Sequence, residues 1–204
     1  MNSQQIDAAI FLDNTREKIE QVKAACPAIT AIRVADSAAA ARRLQPNKTL
    51  RRKPRDQLEI RVNAGINAST IRRMKAWTRK SKSKGKGRRV ALFDWGCTIT
   101  QFKGGRPQSS SEETLATICG GAQRLAALRA MFDDLYANGV EVVLLTNNTT
   151  THRRVFKQLV RRLLGPGRPY KIIASRDTAG GHKGRALQKL AAFRGLCKIT
   201  RKVR

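Results

Sequence analysis

Asp94 closes the apolar run Val90 to Phe93 in the stretch VALFDWGCTIT, and Gly96 and Thr98 follow it at spacings of two and four. A short continuous apolar run bounded by Arg89 and Asp94 suits a strand buried on both faces, as in a parallel sheet. The carboxyl end of such a strand is where open α/β sheets hold their ligands, so Asp94 stands where a carboxylate can do chemistry. A strand-capping or turn-forming aspartate is the plainer alternative. Three further polar endings share the pattern: Asp13-Asn14 after IDAAIFL, Thr146-Asn147-Asn148 after VEVVLL, and His182-Lys183 after the Gly180-Gly181 turn. Each has its own plain reading. Thr146 could be a strand-end residue, the asparagines turn formers, His182 a helix-start residue and Lys183 an ordinary exposed lysine.

The elements that would carry these residues alternate. Residues 6–34 read as strand, helix and strand, with Thr15 as a candidate N-cap, Ile19, Val22 and Cys26 at helical spacing, and Pro27 as the stop. From Val90 onward the pattern is again α/β. Ser109–Glu112 and Ser110–Glu113 both have capping-box spacing, Gly120-Gly121 breaks or bends the helical stretch that follows, and Asn138-Gly139 ends it. Thr149 to Leu164 reads as a basic amphipathic helix with Val155, Leu159 and Leu163 inside. Tyr170 to Ala174 reads as a strand, and HKGRALQKLAAF as one helix starting near Lys183. Strands alternating with helices predict a mainly parallel sheet with helices on both faces.

Lys and Arg number 42 against 14 Asp and Glu, a formal charge of +28 in 204 residues. Self-repulsion on that scale opposes compaction unless a polyanion neutralises it, with nucleic acid the leading candidate and an anionic membrane surface second. Residues 38–89 hold much of the excess and read as a basic insertion or linker, with a solubilising spacer as the alternative. Within it, Leu58 to Val62 could be an exposed strand, and Asn67 to Lys80 a basic helix with Ile71, Met74 and Trp77 along one side. Its candidate nucleic-acid contacts are Arg51, Arg52, Lys53, Arg72, Arg73, Lys75, Trp77, Arg79, Lys80, Lys82, Lys84 and Lys86. Trp77 would either stack on a base or anchor the helix in a core. No apolar run approaches the roughly 18 residues of a membrane span, and the start lacks a signal-peptide layout. Cys26, Cys97, Cys119 and Cys197 are scattered and fit reduced thiols, so the expected location is inside a cell or a virion.

The motifs FDWGCT, LLTNN and GHKGRAL together resemble the haloacid dehalogenase (HAD) superfamily of phosphatases and related hydrolases. The resemblance implies Asp94 as nucleophile with Thr98 at plus four, Thr146 holding the phosphoryl group and Lys183 neutralising it. The family's fourth motif, acidic and Mg²⁺-binding, should come one strand later, but IDAAIFLDN at the other end of the chain is what looks like it. Joined across its termini the chain has the family's order, which implies a circular permutation; a cropped tandem or two chains completing each other's sheets are the alternatives. The implied organisation is a HAD-like Rossmannoid core made of residues 1–37 and 90–204, without a large cap, bridged by 38–89. Asp94, Asp13, Asn14 and the Gly96 carbonyl would be the oxygen ligands of Mg²⁺. Such a metal and a lysine neutralise the charge that meets an attacking carboxylate.

One departure bears on activity. Family phosphatases carry a second aspartate two residues after the nucleophile as general acid and base, and here that position is Gly96. The lost group contributes about 10²–10⁴-fold in rate. Two functions follow as expectations. One is a catalytically weakened HAD-like domain serving as a nucleic-acid-associated or assembly protein, with RNA ahead of DNA and a protein or ribonucleoprotein assembly as partner. The other is a Mg²⁺-dependent phosphohydrolase.

Overall fold

In the computed structural model the described residues are 6–34, 65–82, 87–101, 109–147 and 153–197. Their strands are β1 (Ile6–Asp13), β2 (Thr30–Arg33), β3 (Arg88–Phe93), β4 (Val140–Thr146) and β5 (Tyr170–Ala174). The helices are α1 (Arg16–Ala25), α2 (Ala68–Lys82), α3 (Glu112–Ile118), α4 (Ala122–Ala137), α5 (Arg153–Leu164), α6 (Ser175–Ala179) and α7 (Lys183–Gln188). A wide turn, Trp95–Ile99, follows β3, and a 3₁₀ turn, Ala191–Leu196, follows α7. The strands form one parallel sheet in the order β2-β1-β3-β4-β5, so the fold is α/β and Rossmann-like.

The inner strands are apolar because successive side chains enter opposite helix layers. Ile10, Leu12, Phe93, Val142 and Leu144 face one layer, which holds α2, α3, α4 and α5. Phe11, Leu92, Val143 and Leu145 face the other, made by α1, α7 and the 3₁₀ turn. Phe93 meets Phe132 of α4 edge-to-face at 5.1 Å between ring centroids, a contact worth about 0.5–1.5 kcal/mol beyond its area. β3 sits mid-sheet between β1 and β4, which brings the two ends of the chain's α/β pattern together. No helix among the described residues is long and apolar enough to cross a membrane.

Several local expectations shift. Ser111, not Ser109 or Ser110, caps α3 by accepting from the Thr114 amide, so neither capping box forms. Thr15 holds the N-cap position of α1 without a side-chain cap bond; its amide instead donates to Asp13 Oδ1 at 2.7 Å. The helix expected to run from Lys183 through Phe193 stops at Gln188, and the chain tightens so that Phe193 and Leu196 bury against the sheet. The short helix α6 has no counterpart in the sequence reading. Cys26 and Cys197 form a disulfide, which corrects the expectation of four reduced thiols. Packing of α1 against α7 and the turn beyond it brings these distant cysteines together, a proximity that their spacing hides. Cys97 and Cys119 are buried thiols outside this disulfide.

α2 is part of the core rather than a loose spacer. Met74 is buried, Ile71 and Trp77 pack against the same apolar cluster, and Arg89 Nη1 donates to the Thr78 carbonyl. The expected strand at Leu58–Val62 lies outside the described residues.

Candidate functional site

The Lys183 ammonium donates to Asp13 Oδ2 and to Asp94 Oδ1, both at 2.6 Å. The topology explains the meeting. β1 and β3 are neighbours with Leu12 opposite Phe93, so the aspartates leave the sheet side by side at its carboxyl end. Lys183 comes from the first residue of α7, on the layer beneath. Exposure is only 2% for Lys183, 1% for Asp13 and 8% for Asp94, and the ammonium also stands 5.6 Å from the Phe11 ring centroid. An exposed lysine is therefore excluded. Burial pushes the Asp94 carboxyl up to about 6, opposed by Lys183 and assisted by repulsion from Asp13. Two carboxylates facing one ammonium in a buried pocket carry an excess negative charge, which a proton or a cation would relieve.

Gly184 makes this approach possible. A Cβ there would lie 2.3 Å from the Gln21 carbonyl oxygen and 2.7 Å from Ala25 Cβ, so only glycine lets α7 close onto α1. Gln21 Oε1 accepts from the Lys183 amide, and His182 Nδ1 accepts from the Arg185 amide. His182 is thus a helix cap. Sequence reasoning missed Gly184 and Gln21. The adjacent Lys-Gly pair was the available signal for the first; only the fold shows the second.

The turn after Asp94 is held by backbone partners. Thr98 Oγ1 accepts from the Asn14 amide at 3.1 Å, which ties the end of β1 to the turn after β3. Arg124, buried in α4, donates to the carbonyls of Ile66, Thr98, Ile99 and Cys119. Burial lowers its pKa. This guanidinium fastens the turn to the segment leading into α2, a role invisible in a sequence with 42 cations. The left-handed position is Cys97 at φ 56°, whereas Gly96 has φ −71° and ψ 129°. A Cβ on Gly96 would meet no heavy atom within 4 Å. Neither backbone nor packing requires glycine there.

Thr146 ends β4, whose Leu144 pairs with Phe93, so it leaves the sheet beside the Asp94 turn. Its carbonyl accepts from Ser175 Oγ, which also bonds Asn147 Oδ1. Ser175 was not foreseen. Asn14 and Gly96, both half-buried, lie at the rim of the same strand ends. Two carboxylates, an amide and a carbonyl are oxygen donors of the kind Mg²⁺ takes. Among the described residues no group of three or more His, Cys, Asp or Glu could hold a metal, so this set would depend on its neutral oxygens.

The basic candidates divide. Arg72, Arg73, Lys75, Arg79, Lys80 and Lys82 are exposed on α2, while Trp77 is half-buried against the core. Arg51, Arg52, Lys53, Lys84 and Lys86 lie outside the described residues. Compared with family models, curated proteins and solved structures, the chain matches none.

Proposed function

We propose that the chain is a nucleic-acid-associated or assembly protein built on a HAD-like domain of weakened catalysis, with RNA ahead of DNA as its ligand. The observation that carries this reading is the surface of the layer holding α2 and α5. Both helices pack against α4, and neither contains an acid. They expose Arg72, Arg73, Lys75, Arg79, Lys80 and Lys82 from one helix and Arg154, Lys157, Arg161 and Arg162 from the other. By contrast α1 pairs Arg16 with Glu20 and Lys18 with Glu17. Exposed cations this dense on a folded layer, on helices without acids, suit a phosphate backbone. Titrating the full chain with fluorescent single-stranded RNA at low salt tests this; tight binding is expected, and no binding would refute it.

A second reading, a Mg²⁺-dependent phosphohydrolase, is favoured by the convergence of Asp13, Asp94 and Lys183 within one chain. The same convergence supports the permuted order over two chains completing each other's sheets. In this reading Asp94 attacks phosphorus, Thr146 holds the phosphoryl oxygens and Lys183 neutralises charge. Mg²⁺ bound by Asp94, Asp13, Asn14 and the Gly96 carbonyl would supply charge stabilisation. The missing carboxylate at Gly96 leaves no group in that place to move the proton, which is why binding ranks above turnover. Asp94→Asn should abolish any Mg²⁺-dependent phosphate release; activity that survives would point away from this site.

A further inference from the structure

We propose that the groove along the outer edge of β5 is a binding track for a single strand of nucleic acid, which rests on the nucleic-acid reading above. β5 pairs only with β4 among the described strands, so its other edge carries no described strand. A groove of about 1320 Å³ runs there, between α5, the Gly165–Pro169 loop and the end of the sheet. That volume exceeds the roughly 300–1,000 Å³ of ordinary small-molecule pockets, which argues for a polymer.

The lining has the two components that single strands need: cations for the backbone and flat apolar surface for the bases. Lys157, Arg161 and Arg162 of α5 are exposed at the groove and form no ion pair among the described residues. Among the described residues the acids that line it are Glu112, already paired with Arg129, and Asp177. Phe156 and Tyr170 provide aromatic surface, and Phe156 packs edge-to-face on Trp95, the residue after Asp94. Thr146, at the carboxyl end of β4, also lines the groove. A strand lying in it would therefore lead toward the Asp94 turn. An acidic peptide adding to the β5 edge would use the same charge, but a strand edge alone gives no reason for so many arginines beside aromatic rings.

The test uses the full chain, a fluorescent single-stranded RNA of about ten nucleotides, and two charge-reversal variants. Arg161→Glu/Arg162→Glu alters the groove; Arg72→Glu/Arg79→Glu alters exposed α2 and serves as the comparison. Both pairs are on the surface, and circular dichroism checks that each variant folds. The proposal expects the groove variant to lose at least about tenfold in affinity and its salt slope to fall by about one to two, with a smaller loss for the α2 variant. Equal affinity in the groove variant and loss in the α2 variant would overturn the groove while leaving nucleic-acid binding intact. A wild-type chain that binds no RNA would overturn both. A Glu-rich peptide that binds as tightly as the RNA, and is lost in the groove variant, would overturn the nucleic-acid assignment of this edge.

Discussion

Lys183 Nζ donates to Asp94 Oδ1 across 2.6 Å from a position 89 residues later in the chain. The same ammonium holds Asp13, so three strand-end and helix-end residues form one buried charged cluster. Their assembly depends on β1 lying beside β3 and on α7 closing against α1.

Gly96→Asp should raise Mg²⁺-dependent hydrolysis of a simple phosphate ester by about 10²-fold or more. The backbone angles at Gly96 suit any residue and a Cβ has open space, so the variant should fold. Adding Asp94→Asn to it should silence the gain. No gain in the single variant would mean that the site lacks more than a proton donor.

Stability should carry a signature of Asp94. Its carboxyl binds a proton more tightly in the folded chain, about 6 against 3.8, chiefly because of burial. Such a group stabilises the fold at acid pH, and that contribution is lost as pH rises from about 4 through about 6. Asp94→Asn removes the titration and leaves Lys183 paired with Asp13. The Tm difference, variant minus wild type, should therefore grow through that window and then level off. A difference independent of pH would contradict the raised pKa.

Gly184→Ala should destabilise the fold by roughly 1–3 kcal/mol, despite the better helix propensity of alanine. The added carbon would sit 2.3 Å from a backbone oxygen of α1, so α7 must retreat and carry Lys183 with it. Urea unfolding measures the loss, and unchanged stability would mean that α7 is free to shift.

The parallel α/β pattern was legible because the strand runs are apolar on both faces, and they form the sheet's central strands. The apolar side of α2 was also legible from Ile71, Met74 and Trp77. What stayed hidden was whatever only long-range packing creates. The Cys26–Cys197 bond depends on α1 meeting the far end of the chain, and the carbonyl-binding role of Arg124 depends on four carbonyls converging. The cap at Ser111 was missed by one residue because neighbouring serines offer the same chemistry.

The central claim is that the basic layer binds a phosphate backbone, and the most direct test is the salt dependence of RNA affinity for the full chain. If about six phosphates are neutralised, log K should fall against log salt with a slope near −4, at about 0.7 per contact. A steep linear fall is the predicted result. An affinity that stays flat between about 50 and 200 mM salt would contradict it.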